Sequence, residues 1–412
     1  MKINKSFILQ LLLFGISPIA GALSSAFFSM NKKLSPFVIA VSVALIFVYM
    51  PLMYDVSASF FAYFDYQSGN IVSQLHSINI LAGVLVKTLG LDYFYTVFLV
   101  CSISLYFWFS VYTIILKNTT SNLLPVTLFF LFLSLLSYKE LMDLNRSFFA
   151  YSTAMYSIFM FHKGECGKLK FRTLLIISFL IHPSSFIIIF AYFIAKYIPF
   201  SRGICLIGLL VSLGVGMKFE LFLSVILPFI PAGTFLQTYM SNSQWGIVTG
   251  FEMGKLILFA VQSLLLISAL LFVMTKPNDR LAKTFFLIVI MFLVFIKFRV
   301  FGERFFLAAT ICIPFAIHSI QKFNGKLLVL IMCAFIKFFS YNIYIFGYIF
   351  SDDFNYVVKN VKKRENMMLK PLYMPTVILI NIKYFGYSNE FIFRESIWKI
   401  DQYNNALTGQ QQ

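Results

Sequence analysis

Apolar runs separated by short polar or basic stretches recur along nearly the whole chain. They fall near 7–28, 36–53, 92–116, 122–138, 146–161, 173–195, 203–217, 219–231, 253–274, 284–298, 305–320 and 327–350. Most are close to the roughly 20 residues that carry a helix through a hydrocarbon core. A backbone in lipid must satisfy its own polar groups, so such runs form helices. The pattern predicts an all-α polytopic membrane protein with about 10–12 transmembrane helices. The 203–217 and 219–231 runs are short, and Gly214, Gly216, Pro228 and Pro231 permit breaks there. Residues 71–90 are mixed in polarity and read as an interfacial or re-entrant helix. The N-terminal run is too long for the apolar part of a signal peptide and reads as a retained first helix. The expected organisation is a membrane domain over 1–350 and a polar tail over 351–412. The tail carries charges of both signs and one short β-branched run, MPTVILINIKYF, and no role is assigned to it.

Composition agrees with that pattern. Of 412 residues, 60% are hydrophobic and 12% charged, with mean hydropathy +0.85, against roughly 25% charged in soluble proteins. The net charge of +17 would suggest nucleic acid in a soluble chain. Here the basic residues sit in short loops between apolar runs, as the positive-inside rule requires, and no RNA-binding motif accompanies them. Nucleic acid is therefore excluded as a partner, and membrane lipids with anionic headgroups are expected. Four of the five cysteines, Cys101, Cys205, Cys312 and Cys333, lie in apolar runs, and Cys166 stands in a loop. No Cys-x-x-Cys or Cys/His spacing is present, so neither a zinc site nor a disulfide framework is expected. Phosphate-binding glycine loops and hydrolase motifs are absent.

Lys32 and Lys33, Lys117, the group Lys163, Lys168, Lys170 and Arg172, the group Lys276, Arg280 and Lys283, and Lys322 with Lys326 all fall on one side if the N-terminus is outside and 71–90 does not span. Lys2, Lys5 and the basic tail run against this orientation. It places Asn118-Thr119-Thr120, a glycosylation acceptor by pattern, inside. The outer face then holds Tyr54 to Asn70, Lys139 to Arg146, Ala232 to Glu252 and Arg299 to Arg304. Two of these segments are aromatic-rich or amide-rich, which suits sugar rings and equally suits an ordinary interfacial aromatic belt.

A few charged residues call for a reason. Centring a charge in a bilayer costs about 3 kcal/mol on insertion scales. Arg146 follows KELMDLN, with Asp143 one helical turn before it. It reads either as a helix-end arginine snorkelling to the interface or as a bidentate clamp for a phosphate. His182 lies well inside its run, next to Pro183, which should kink the helix and open a carbonyl. It reads as a buried hydrogen-bonded imidazole or as a general base. Arg299, Glu303 and Arg304 cluster in IKFRVFGERFFLAA; if Gly302 breaks the helix, both arginines point into one outer vestibule. Asp55 and Asp65, with Tyr66, lie in the aromatic outer loop, where a carboxylate could orient or deprotonate a sugar hydroxyl. His76, His162 and His318 sit near the ends of apolar runs and are expected to be structural.

Arginines facing outward, a buried histidine and loop carboxylates suit a lipid-linked diphosphate that carries a glycan. The arginines would neutralise the diphosphate leaving group while a carboxylate or His182 assists an attacking hydroxyl. The run Asp143-Leu-Asn-Arg146-Ser-Phe-Phe-Ala150, a helix, a basic loop, then Ile181-His182-Pro-Ser-Ser185 resembles the EpsG and Wzy group of polysaccharide polymerases. The Asp55–Tyr66 loop and the Arg299–Phe305 motif follow in the same order. The resemblance covers most of 1–350 and implies a metal-independent, cofactor-free glycosyltransferase with a glycosyltransferase-C-like helical bundle in a bacterial inner membrane. Its substrate would be an undecaprenyl-diphosphate-linked oligosaccharide, polymerised into O-antigen at the periplasmic face, with a chain-length regulator as a candidate partner. Carried over by position, Arg146, His182, Arg299 and Arg304 would be the catalytic residues and Asp55, Asp65, Tyr66 and Glu303 substrate-binding. The outer loops are shorter than in some relatives. A flippase for the same lipid-linked oligosaccharide and an O-antigen ligase are the competing readings.

Overall fold

The computed structural model describes residues 5–50, 56, 59, 60, 81–121, 123–219, 253–276, 278–342, 370–380 and 389. Among them the chain is all helical, without a β-sheet. It forms two compact units, Met1–Ser152 with Tyr341–Gln412, and Thr153–Ser340.

The first unit begins with α1 (Lys5–Ile16), α2 (Pro18–Met30) and α3 (Pro36–Val48). The apolar run over 7–28, expected as one helix, is two. Ser17 is extended (φ −161°, ψ 154°) and its hydroxyl accepts the Ala20 N–H at 3.0 Å. The cause is Pro18, which lacks an N–H and pushes the preceding residue out of the helical region. α2 then folds back along α1. A Cβ on Gly21 would lie 3.0 Å from the Phe14 Cα and 2.5 Å from the Ser42 Oγ, so only glycine lets α1, α2 and α3 approach this closely. Gln10 ties the hairpin to the next turn, donating to the Lys33 carbonyl at 3.0 Å and accepting the Ser35 N–H at 2.9 Å.

α4 (Tyr93–Lys117) packs along α3, and α5 (Leu124–Leu135) returns beside it. Trp108 Nε1 donates to the Phe132 carbonyl at 3.3 Å, and the Tyr112 hydroxyl donates to the Pro125 carbonyl at 2.8 Å. Tyr112 also meets Ser29, and Lys32 reaches the Thr119 carbonyl. The Lys32–Lys33 turn and the Lys117 end of α4 therefore meet at one end of this unit. Short α6 (Tyr138–Asp143) leads into α7 (Asn145–His162). The described tail, α16 (Lys370–Tyr373) and α17 (Thr376–Leu379), docks on the same unit. The Leu379 carbonyl accepts from Tyr49 at 2.6 Å, Thr376 reaches the Phe14 carbonyl, and Asn389 accepts the Tyr93 N–H at 2.9 Å. That last bond caps the start of α4, which has no side-chain cap of its own.

The second unit takes the end of α7 and then α8 (Lys168–Ile181), α9 (Phe186–Ile194), α10 (Arg202–Met217), α11 (Met253–Val273), α12 (Arg280–Val294), α13 (Arg299–Ile311), α14 (Ile313–Ile317) and α15 (Gly325–Tyr341). The expected single helix over 173–195 is a helical hairpin. α8 stops at Ile181, His182 is extended (φ −156°, ψ 123°), and a 3₁₀ turn over Pro183–Ser185 reverses the chain. The Ser178 and Ser185 hydroxyls meet at 3.5 Å and the Phe171 and Tyr192 rings at 6.1 Å. Both pairs are symmetric about the His182 turn, as antiparallel helices require. Proline thus reverses the chain here rather than kinking it.

This fold-back gathers basic residues at one end of the unit. Arg280 lies 3.7 Å over the Tyr192 ring and donates twice to its carbonyl, at 3.0 and 3.1 Å. Lys283 reaches the Ile198 carbonyl, Arg202 the Met274 carbonyl and Lys326 the Leu271 carbonyl. The loops around 163–172, 276–283 and 322–326 share this end, as expected from their charge, and Lys196 and Arg202 join them.

Among the described residues, α4, with 25 residues, is the one helix long and apolar enough to cross a membrane alone. Shorter apolar helices of 10–17 residues include α1, α2, α3, α5 and α10. Yet outward side chains are large and apolar: Leu23 is 69% exposed, Leu180 66% and Leu210 70%. Faces of this kind are costly in water at such density.

Ser178→Cys with Ser185→Cys, in a background lacking the five native cysteines, should form a disulfide on mild oxidation. In an unbroken helix these positions stand about 10 Å apart and stay reduced, which mass spectrometry distinguishes. Gly21→Val should lower stability in detergent by about 1–3 kcal/mol through overpacking. Gly15→Ala, with nothing near its Cβ, should leave the unfolding midpoint unchanged or raise it.

Candidate functional site

The arginine motif lies at the far end of the second unit from its basic loops. Starting at Arg280, α12 runs 15 residues, about 22 Å at 1.5 Å each, before the turn into α13. Arg299 is the first residue of α13, and Glu303 and Arg304 follow in its next turn. Gly302 lies inside this helix rather than breaking it, which corrects the expected vestibule geometry. A Cβ there would sit 3.1 Å from the Phe295 carbonyl oxygen, and the Gly302 N–H donates to the Phe298 carbonyl at 2.6 Å. Glycine therefore serves close packing of α13 on the preceding turn. Glu303 and Arg304 are half-buried. The Arg304 Nε is buried and has no hydrogen-bond partner among the described residues. A buried guanidinium N–H left unmatched costs more than an exposed one and is a ready donor for an anion. The side chain of Arg299 lies outside the described residues.

His182 stands at the tip of the α8–α9 hairpin. From Lys168, α8 runs 14 residues, about 21 Å, so the tip also lies away from the basic loops. The His182 Nδ1 faces the Ser184 N–H at 3.2 Å and the Ser184 hydroxyl at 2.6 Å. The imidazole thereby caps the 3₁₀ turn, as an aspartate or serine does at other helix starts. Any proton transfer by His182 would fall on Nε2.

Arg146 belongs to the first unit, in the first turn of α7, and is half-buried. Its charge acts on the Tyr93 phenol at the start of α4. Neighbouring Asn145 donates to the Leu141 carbonyl at 3.0 Å and contacts the Cys101 thiol at 3.3 Å. Asp143 ends α6, and its side chain lies outside the described residues, as do Asp55, Asp65 and Tyr66 entirely.

A family model, that of the EpsG family, matches residues 62–362. The chain belongs to the EpsG family. Its members are membrane proteins of the Wzy-like polysaccharide polymerase kind. Comparison with curated proteins and with solved structures gives no match. The EpsG match spans Arg146, His182, Arg299, Glu303 and Arg304 and leaves out α1–α3 and the docked tail.

Within the EpsG region the structure also assembles groups that spacing in sequence did not reveal. His162, Asp279 and His318, from three separate segments, converge at the basic end of the second unit. Burial would raise the Asp279 carboxyl, but the two imidazoles and the Ala282 N–H hold it down at about 2. Burial lowers His318, against the pull of Asp279, and also lowers Lys163. Lys337, a lone charge in the apolar run of α15, is fully buried, as is Glu140 nearly so in α6. For Lys337 a signal was legible, since a charge within an apolar run is rarely idle.

His182→Ala should lower stability by about 1 kcal/mol through loss of the turn cap, whereas His182→Asn, which also caps, should stay close to wild type. Chemical unfolding in detergent checks this. Polymer length measured on both variants separates the roles, because asparagine restores a cap and not a proton acceptor.

Proposed function

We propose that this EpsG-family chain is an O-antigen polymerase of a bacterial inner membrane, a multi-pass protein that joins undecaprenyl-diphosphate-linked oligosaccharide repeats at the periplasmic face. Family membership over 62–362 carries this reading. The acceptor hydroxyl oxygen attacks the anomeric carbon of the lipid-linked chain. As that C–O bond forms, the bond from the anomeric carbon to the diphosphate breaks, and the hydroxyl proton passes to a carboxylate or to His182 Nε2. The lipid diphosphate leaves with its charge met by guanidinium groups, which bind phosphate oxygens in a bidentate fork. Arg304, whose Nε is buried and unmatched among the described residues, supports this role in the second unit. Arg299, on the same helix end, is assigned to the same charge neutralisation, and Arg146, in the first unit, to binding negative charge of the substrate. Asp55, Asp65, Tyr66 and Glu303 are assigned to sugar binding. The apolar outer faces of α2, α8 and α10 suit contact with lipid. In this reading transfer needs no cofactor, and a chain-length regulator remains a proposed partner.

Arg304→Ala and Arg146→Ala should each leave single repeats on the surface polysaccharide and abolish long chains, with Arg304→Lys losing most of the activity because a point charge does not replace the planar fork. Gel profiles of lipopolysaccharide read this directly. A normal ladder in Arg304→Ala sinks the assignment. Absence of even single repeats at the surface points to a flippase, and polymer accumulating on the carrier lipid points to a ligase.

A further inference from the structure

Three segments remote in sequence end at one point at the basic end of the second unit. His162 is the last residue of α7, Asp279 precedes α12, and His318 follows α14. The His162 Nε2 and the His318 Nε2 each lie 3.6 Å from the same Asp279 oxygen, Oδ1. All three atoms fall within 4.8 Å of one another. At 3.6 Å neither pair makes a direct hydrogen bond. Ligands about 2.0–2.2 Å from a tetrahedral ion stand roughly 3.3–3.5 Å apart, so small side-chain movements close the triangle around one.

The remaining atoms of two of these groups are already committed, and in the sense that a metal site needs. Asp279 Oδ2 accepts the Ala282 N–H at 2.9 Å as the cap of α12, which turns Oδ1 towards the imidazoles. His318 Nδ1 lies 2.8 Å from the Phe315 carbonyl. A carbonyl only accepts, so Nδ1 carries the proton, and in the neutral ring Nε2 presents a lone pair. Facing a carboxylate oxygen, that nitrogen is matched either by its own proton, as an imidazolium paired with Asp279, or by a metal ion. A backbone carbonyl on the far nitrogen is the usual means of orienting a metal-binding histidine. The His318 ring is held edge-on to Phe159, and the two imidazoles lie 78° apart with centroids at 6.0 Å, so both present nitrogen and not ring faces to Asp279. His318 is 5% exposed, which shields the site from bulk solvent on one side. Lys163, whose ammonium lies 5.8 Å over the Phe159 ring, also acts electrostatically on Asp279 and His318.

We propose that His162, Asp279 and His318 form a three-ligand site for a divalent transition-metal ion of the zinc type, separate from the glycosyl-transfer residues. Two imidazoles and a carboxylate suit zinc, with a fourth position left for water. The ion would tie the end of α7 to the α11–α12 connection and to the α14–α15 connection. Its role is a cross-link within the second unit, about 20 Å along α12 from the arginine motif. This inference stands apart from the polymerase reading and can fail without it.

The test uses the full chain purified in detergent, stripped with chelator and reloaded with Zn²⁺ or Co²⁺. Wild type should take up one equivalent per chain by elemental analysis, the cobalt form should show the intense visible bands of a low-coordinate site, and zinc should raise the unfolding temperature. His162→Ala and His318→Ala should weaken binding by more than the roughly 10–100-fold that changes in outer-shell partners produce. His318 is buried, so His162→Gln and Asp279→Asn provide ligand losses that spare the packing, and asparagine preserves the α12 cap. Lys163→Ala should tighten binding by removing a nearby positive charge. A wild-type chain that binds no stoichiometric metal overturns the proposal. So does uptake unchanged in the His162→Gln and Asp279→Asn variants, which would mark an adventitious ion only.

Discussion

A helix that stops inside an apolar layer leaves backbone N–H and C=O groups that no water satisfies, and much of this architecture answers that constraint. Several breaks in the described chain carry their own acceptor. Ser17 caps α2, Ser35 caps α3, Ser137 caps α6 and Ser201 caps α10. His182 caps the turn of the α8–α9 hairpin, Asp279 caps α12, and Asn389 reaches in from the tail to cap α4. With the ends satisfied, short helices persist where a continuous one was expected, and the chain folds back on itself between them.

Two of these caps are also the groups on which chemistry has been placed. His182 turns Nδ1 to Ser184 and Asp279 turns Oδ2 to Ala282, which leaves the second polar atom of each facing elsewhere. Capping thus fixes the direction in which that second atom points. The same economy orients His318, whose Nδ1 is held by the Phe315 carbonyl. Helices of about 21–22 Å then separate the His–Asp cluster and the basic loops, at one end of the second unit, from His182 and the arginine motif of α13. Cations at one end and a buried, unmatched guanidinium nitrogen at the other give this unit two chemically different ends.

The stretch from Asp143 to Ser185 and the arginine motif, which carry the EpsG resemblance, lie within the matched residues 62–362. Those residues were legible because a charge or histidine in an apolar run is costly and therefore conspicuous. His162, Asp279 and His318 were not. Each sits at the end of a run, where polar residues are ordinary, and no local spacing relates them. A break at Gly302 was the condition for an arginine vestibule, since glycine lowers helix propensity, but close packing on the Phe295 carbonyl keeps it inside the helix. Pro183 was read as a kink, since proline in a helix removes one bond. The extended backbone of His182 and the serine pair behind it turn that interruption into a reversal.

Hydrophobic periodicity and composition alone determined that the chain is helical and apolar, where α3, α4, α5, α7, α10, α11 and α15 begin to within a few residues, and which loops are basic. These properties follow from burial and charge, which are local sums over a window. Tertiary structure decided that the runs over 7–28 and 173–195 are hairpins, that the described tail residues lock onto α1, α3 and α4, and that two histidines share an aspartate oxygen. Those outcomes depend on contacts between residues far apart in the chain. Their energies exist only once the helices have packed, so no window of sequence contains them.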